Sequence, residues 1–443
     1  MSEWFKTTLA EIADIRVSNV DKKSYQSEKP VMLCNYMDVY SNDYITRDIS
    51  FMEATATIME IAKFTVSKGD VLITKDSETP FDIGIPAVVE DDIDNLICGY
   101  HLAQFRPDFE RVDPVFLAKK LSMPDVASYF SRVAAGSTRY GLSYSSIANV
   151  VISLPSLEKQ KSISGILRNL DYVIEKTEKI IEKYNKVKFG LMCDFFTRGI
   201  NSDGKLRESY DHTPHLYQGS EIGFIPKGWS TYRLDKLLAP VVNNFRSGPF
   251  GSALLKSELV EEGIPFLGID NIHVESFDAR FKRFVSEKKF NELIRYAVRP
   301  KDVVITIMGT VGRAAVIPHD IGLALSSKHL WTMTFDQTLV IPELVCWQLN
   351  FAPWVKYWFR KETQGGIMDA IQSKTLKSLV LPLPPIEEQN FIYEKYLVIT
   401  KKIQAEEKIL KKLMKEKEGL MNDLLTGKIS VQLKQKETGV THV

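Results

Sequence analysis

The chain lacks most of what would assign it a membrane, a redox framework or a chemistry at once. No apolar run in its 443 residues approaches the roughly 20 that a membrane span requires. The N-terminal MSEWFKTTLAEI is polar and mixed in charge, which is not a signal-peptide pattern. The four cysteines (Cys34, Cys98, Cys193 and Cys346) lie far apart without a C-x-x-C pair, which fits reduced thiols in a cytoplasm and excludes a cysteine zinc motif. There is no phosphate loop, no dinucleotide fingerprint, no G-x-S-x-G elbow and no H-E-x-x-H helix. Also missing are the Asp-Pro-Pro-Tyr and Asn-Pro-Pro-Tyr/Phe stretches with which adenine methyltransferases surround their target base. Charge of one sign is absent too: 57 Lys and Arg against 56 Asp and Glu leave a net charge of +1. A protein gripping DNA unaided through many phosphates is usually more basic, so a DNA-binding role requires local positive charge or help from another subunit.

What is present is an ordinary globular composition, 44% hydrophobic and 26% charged, in a chain long enough for two domains or more. It is also a duplication. The stretch that opens LPSLEKQ at Leu154 and closes GLMCDFFTRGI at Ile200 returns as LPLPPIEEQ from Leu383 and GLMNDLLTGKI to Ile429. One constant offset of 229 residues aligns the copies without a gap. Leu154, Pro155, Glu158 and Gln160 recur as Leu383, Pro384, Glu387 and Gln389, and Glu178-Lys179-Ile180 as Glu407-Lys408-Ile409. That period is far beyond the roughly 20–50 residues of a solenoid repeat, so the chain is two halves, each ending in a long helix.

The halves open alike, with Trp4, Leu9 and Ile12 matching Trp229, Leu234 and Leu237. Short β-branched runs behind turns, Val71–Thr74 and Val303–Thr306, predict buried strands. His101-Leu102 and His329-Leu330 start further strands. A single helix is then expected in each half, PVFLAKKLSMPDVASYFSR and PELVCWQLNFAPWVKYWFR, with Pro114 and Pro342 at the starts. Its aromatics Trp347, Trp354, Tyr357 and Trp358 read as helix-packing core. Loops AAGSTRYG and TQGGIMDA lead into VVISLP and LVLPLP. Each half is therefore a mixed α+β globule. The repeated helices carry apolar stripes with alternating spacings of three and four, from Ile163 to Phe195 and from Ile392 to Leu424, a coiled-coil seam. Polar interruptions fall at equivalent places, Thr177 with Glu406 and Lys188 with Lys417. From Glu387 to Asp423, eight Lys balance eight Asp or Glu, a poor composition for gripping DNA and a good one for holding domains apart. About 40 helical residues span roughly 60 Å, and the natural partner of each seam is the other helix, antiparallel.

Two weak patterns remain. Among seven scattered histidines the closest pair, His212 and His215, sits in a polar stretch best read as solvated. Asp278, Glu287 and Lys289 form D-x8-E-x-K, a spacing used by some Mg²⁺-dependent nucleases. With so many charged residues a chance match is close to expected, and the first half has no equivalent.

LPSLEKQ and LPLPPIEEQ before long helices, each behind a divergent α+β domain, resemble the specificity (S) subunit of type I restriction–modification enzymes. GFIPKGWSTYRL, RSGPFGSALLKSELVEEGIPFLGIDNI and RPKDVVITIMGTVGRAAVI in the second half are similar to that family's target-recognition signatures. The first half departs, with VSNVDKKSYQSEKPVMLCNYMDV and TKDSETPFDIGIPAVV at the corresponding places. The resemblance implies an α+β fold of two target-recognition domains in tandem, each followed by a long helix, the helices pairing as an antiparallel coiled coil. On this sequence the divisions are recognition domains at 1–153 and 223–382, spacer helices at 154–200 and 383–429, a linker at 201–222 and a tail at 430–443. It further implies a non-catalytic, cytoplasmic scaffold that reads a bipartite double-stranded DNA target without contacting a membrane. Two modification (M) subunits carrying S-adenosylmethionine and restriction (R) subunits using ATP and Mg²⁺ dock on it, and this chain itself holds no cofactor or metal. The competing readings are a stand-alone nuclease built on Asp278, Glu287 and Lys289, and a coiled-coil adaptor that does not touch DNA.

Base readout needs side chains on loops held by a rigid core. In the second half the loop from Asn243 to Ser252 supplies Arg246, Ser247, Gly248, Phe250 and Ser252, with Arg246 placed to pair with guanine. Arg313, Lys328, His329 and Gln364 join it. In the first half the candidates are Lys22, Lys23, Tyr25, Lys75, Tyr100, His101, Ser137, Arg139 and Tyr140.

Overall fold

The computed structural model describes residues 4–363 and 371–432. Most of the TQGGIMDA loop and of the C-terminal tail therefore lies outside the described residues. The chain divides into two compact units, Met1–Ile180 with Glu406–Val443, and Ile181–Ala405. Each unit holds one α+β domain, the start of the long helix that follows it and the end of the other long helix.

The central sheets share one plan. In the first unit the strand order is Ala13–Val17, Leu102–Pro107, Val71–Thr74, Pro86–Val89 and Tyr44–Ile45, antiparallel except for the last pair. In the second it is Phe245–Arg246, Leu330–Met333, Val303–Thr306 and Ala314–Val316, all antiparallel. The register of the central pair is the same in both: Leu102 faces Thr74 as Leu330 faces Thr306. Val71–Thr74 and Val303–Thr306 are buried at every position, as their continuous apolar runs require. A second sheet backs each core, three strands around Lys29–Cys34 in the first unit and four around Ile264–Leu267 in the second.

Each domain is closed by pairing its first strand with the one before its long helix. Phe5–Thr8 pairs Val151–Leu154, and Ser230–Arg233 pairs Val380–Leu383, both antiparallel. The repeated L-P-x-x-E-x-Q motif then acts as a clamp. Gln160 is fully buried; its Nε2 donates to the carbonyls of Pro155 (2.9 Å) and Arg111 (3.2 Å), while its Oε1 accepts from the Asp113 amide (3.0 Å). Gln389 repeats this with the carbonyls of Pro384 and Leu339 and the Ile341 amide, all at 3.0 Å. Asp113 and Ile341 precede the first turns of the helices at Pro114 and Pro342, so one amide side chain fixes the domain helix against the long helix.

Those domain helices correct the sequence expectation. Each predicted single helix is two, Pro114–Leu121 with Pro124–Val133, and Pro342–Phe351 with Pro353–Thr363. Pro124 and Pro353 lack the amide that would continue the helix and push the preceding residue out of the helical region, so each starts a new helix instead.

The long helices run Leu157–Thr197 and Ile386–Leu425. Along both, the seam residues are buried or half-buried while most neighbours are exposed. In the first unit Ile163 and Leu167 share a core with Leu424 and Leu425. In the second, Met192, Phe195 and Phe196 share one with Ile392 and Tyr396. Within each unit the start of one helix therefore meets the end of the other, an antiparallel pairing. The two seam lysines end on carboxylates of the adjoining domain and, for Lys417, of the paired helix as well. Lys417 Nζ lies 2.7 Å from Asp171 and 3.0 Å from Asp43, and Lys188 Nζ lies 2.8 Å from Glu275 and 4.8 Å from the Tyr396 ring centre. Past the helix ends, Gly199 and Gly427 take left-handed backbones (φ +65° and +76°), and an added Cβ would strike Trp229 and Trp4 respectively. The matching tryptophans thus cap matching helices.

The stretch 201–222 carries structure of its own. Tyr217–Ser220 forms a hairpin with Gly223–Pro226, and the Arg207 guanidinium takes both oxygens of Glu388 at 2.6 and 3.0 Å. Sequence periodicity missed this because the strand is short and buries only Tyr217.

Candidate nucleic-acid interface

At the same end of each central sheet, two loops leave adjacent strands and are pinned by the same residue type. Thr74 Oγ1 accepts from the Ile85 amide (3.0 Å), closing the loop between strands Val71–Thr74 and Pro86–Val89. Thr306 Oγ1 accepts from the Arg313 amide (3.1 Å) and donates to the Thr310 carbonyl, closing the equivalent loop of the second unit. Both threonines are fully buried, so the loop bases are rigid while their tips face solvent.

In the first unit this geometry gathers much of the set picked from sequence. Lys22, Tyr100 and His101 line a cavity of about 100 Å³ together with Asp21, Asn35 and Tyr36. Lys75 is buried against it, its Nζ 4.5 Å above the Tyr100 ring centre and 2.6 Å from Asp76 Oδ2. The same oxygen lies 3.0 Å from His101 Nδ1. Tyr140 pairs with Ser77 and Gly141 with Asp76, which brings the loop with exposed Ser137 and Arg139 to the same edge. Lys23 is exposed next to the cavity residue Lys22. Tyr25, also exposed, is tied elsewhere, through its amide to Thr55 of the second sheet.

In the second unit the Ser247 hydroxyl donates to the Lys328 carbonyl (3.3 Å) and the Gly248 amide to that of Ser327 (3.1 Å). A Cβ on Gly248 would lie 2.1 Å from the Ser326 carbonyl oxygen, so this glycine allows two loops to touch. Beside them, His329 Nδ1 stands 3.2 Å from Met308 Sδ, Lys328 is exposed and Arg313 is half-buried at its loop's end. Burial first, then the Lys328 and Arg283 cations, hold the His329 imidazole below its usual pKa. Phe250 and Ser252 are exposed beyond the contact. Gln364 lies outside the described residues.

Arg246 is the correction. Expected to reach a guanine, it is 5% exposed and its guanidinium pairs with fully buried Asp302. Its remaining donors go to the carbonyls of Ala297 (2.7 Å) and Asn243 (2.9 Å) and to Thr334 Oγ1 (3.0 Å). Asp70 occupies the same place in the first unit, at the foot of strand Val71–Thr74, and takes Arg106 at 2.9 Å. Arg246 thus does for the second unit what Arg106 does for the first: it neutralises a buried carboxylate. The sequence placed it on a glycine-rich loop, and only the tertiary contact with Asp302 shows that the charge is spent inside. Gly248 and Ser247 are likewise buried, and Lys75 is buried and paired, so all three shape the surface from beneath.

Two members of the nuclease set are engaged by other side chains. Asp278 binds Arg280 (2.6 Å), whose side-chain and backbone bonds pull its pKa down to about 2. Lys289 is held by Glu258 (2.8 Å) and Glu292 (3.4 Å). Among the described residues no group of three or more His, Cys, Asp or Glu is placed to hold a metal ion. Trp347 is core, stacked on Phe196 with ring centres 4.9 Å apart, whereas Trp354, Trp358 and the exposed Tyr357 line an open groove with Lys361. Sequence reasoning missed Asp76 and Met308; aligning the two Val-Leu/Val-Ile-Thr strands and stepping two residues past each threonine finds them.

Residues 1–185 match the family model of the type I restriction modification DNA specificity domain. The protein named "Putative type I restriction enzyme MjaX specificity subunit", from Methanocaldococcus jannaschii, is 27% identical over 378 residues, 84% of this chain and 81% of its own length. The type I restriction enzyme MjaVIII specificity subunit of the same organism is 27% identical over 292 residues, 64% of this chain and 63% of its own. A crystal structure of the type I restriction–modification system S subunit from M. genitalium superposes with a TM-score of 0.56 at 15% identity, over 98% of this chain and 97% of that one, a likeness of fold. The matched first half, and the duplicated helices and clamps that repeat its plan in the second, make the chain similar to type I restriction–modification specificity subunits.

Proposed function

We propose that this chain reads a bipartite double-stranded DNA target, one half-site per unit, and holds two M subunits and R subunits on the same scaffold in the cytoplasm. The observation that carries the reading is the repeated sheet end: identical strand register and threonine pins, with different side chains displayed (Asp76, Tyr100 and His101 against Met308, Arg313, Lys328 and His329). A constant frame with variable tips is what two readers of different sequences require.

Repetition on the helices supports a partner present twice. Many of the repeated residues are buried and explained by packing. Others are exposed in both copies: Glu178-Lys179-Ile180 with Glu407-Lys408-Ile409, and Gly190 with Gly419. Each glycine sits within its helix with nothing within 4 Å of an added Cβ, so no close approach among the described residues requires it. A helix-interior glycine costs about 1 kcal/mol against alanine, and a partner packing closely at both places gives it a use. S-adenosylmethionine belongs with the M subunits, and ATP and Mg²⁺ with the R subunits.

Co-expression of the chain with its M subunit, followed by methylome sequencing, tests the reading. The expected outcome is one motif of two specific halves around a fixed gap. Inserting seven residues into both long helices should lengthen the gap and leave both halves unchanged. Methylation by the purified chain alone, or a gap indifferent to the insertion, contradicts it. Mg²⁺-dependent cutting by the chain alone, lost in Asp278→Ala, is the outcome for the nuclease alternative.

A further inference from the structure

The two sheet ends differ most sharply at one equivalent position. Asp76 and Met308 each stand two residues after the pinning threonine, and each faces the histidine, His101 or His329, that precedes the partner strand. Both are next to loops that are fixed independently of their side chains. Lys75 donates its amide to the His101 carbonyl (2.9 Å) and accepts the Leu142 amide (2.8 Å); the Ile307 amide reaches the His329 carbonyl (3.0 Å). The chemistry presented is opposite. Asp76 has one oxygen shared by Lys75 and His101, and among the described residues its Oδ1 carries no hydrogen bond. Met308 is a thioether, 42% exposed, beside an imidazole.

Resting on the reading that each unit contacts DNA, we propose that positions 76 and 308 are specificity-determining residues that make the two half-sites different. Asp76 Oδ1 accepts from an exocyclic amino group on a base edge, that of cytosine or adenine. The Lys75 and His101 groups around its other oxygen offset the repulsion between a carboxylate and nearby phosphates. Met308 offers no acceptor of that strength and packs against the methyl group of thymine. These are the pairings that base-edge chemistry allows for a carboxylate and an apolar side chain in the major groove.

The test is methylome sequencing of cells carrying the chain with its M subunit, comparing wild type with Asp76→Asn, Asp76→Leu and Met308→Asp. Asp76→Asn keeps the shape but trades an acceptor for a donor, the arrangement that takes adenine N6 and N7 together, so one position of the first half-site should turn toward adenine by roughly tenfold or more if it held cytosine, and Asp76→Leu carries the test if it held adenine. Whether that position held cytosine or adenine in the wild-type motif identifies the base. Asp76→Leu should relax the same position, and Met308→Asp should lower thymine preference at one position of the second half-site only. An unchanged motif in the three variants overturns the proposal, as does a change spread over both halves. If an Asp76 variant abolishes methylation through misfolding, Met308→Asp decides alone, because its loop belongs to the other unit. Absence of any two-part motif in the wild type would instead remove the DNA-reading proposal on which this one rests.

Discussion

Replacing Gln160 by methionine is the most direct probe of what the repeated motif does. Methionine nearly conserves the side-chain volume, so the loss is one of hydrogen bonding rather than of packing. Three bonds vanish, two given to the carbonyls of Pro155 and Arg111 and one received from the Asp113 amide, at a site that is fully buried. At about 1 kcal/mol net for each bond, and more where a buried group is left without a partner, the cost is about 3 kcal/mol. Gln160→Glu is worse at neutral pH, since it turns a donor into an anionic oxygen facing two carbonyls. Its folded-state pKa is raised above the unfolded value of about 4.3, so its stability is best at low pH and lost as pH rises through the folded pKa. Hydrogen exchange followed by mass spectrometry reads the effect locally. Amides of Pro114–Leu121 should lose protection in the Gln160 variant and those of Pro342–Phe351 in the matching Gln389 variant. A cost below about 1 kcal/mol, or equal loss in both helices from one substitution, refutes the clamp.

Arg246→Ala should destabilise the second unit by about 3–5 kcal/mol, because it leaves buried Asp302 without its cation; a thermal shift near zero with an altered methylation motif would instead restore Arg246 as a base reader. Lys417→Met should weaken the first unit. Burial works against it, but the Lys119 and Lys417 charges prevail and hold the half-exposed Asp43 carboxyl at about 2, below its unfolded value of about 3.9. After discounting for solvent screening its share is about 1 kcal/mol, present above pH 4 and lost as pH falls toward 2. Denaturation curves of wild type and variant should therefore converge as the pH falls to about 2, and a gap independent of pH would contradict this.

The long helices, their seam, the duplicated domains and the place of the buried strands were legible because each is written as a period or an offset. Periodicity reports which face is covered. It does not report what covers it, so the seam lysines Lys188 and Lys417 looked like interruptions until Glu275, Asp43 and Asp171 came beside them. The candidate surface was legible in part. Much of the first-unit set, chosen as basic and aromatic residues on loops, converges around the cavity at Tyr100 and His101. Arg246 went wrong because sequence shows that a residue is charged and on a loop, not which way its guanidinium turns.

By itself the sequence determined that this protein is two copies of one design, each an α+β domain followed by a long amphipathic helix, and it carried motifs that resemble those of type I specificity subunits. Those are properties of local spacing and of identity at a fixed offset, which survive without coordinates. Only the tertiary structure decided that each compact unit borrows the end of the other half's helix, that the motif glutamines bind the backbone ahead of a proline-started helix, and that Asp76 and Met308 share one position. These depend on residues tens to hundreds of positions apart meeting within a few ångströms, and no local pattern encodes which distant partner a buried polar group will find.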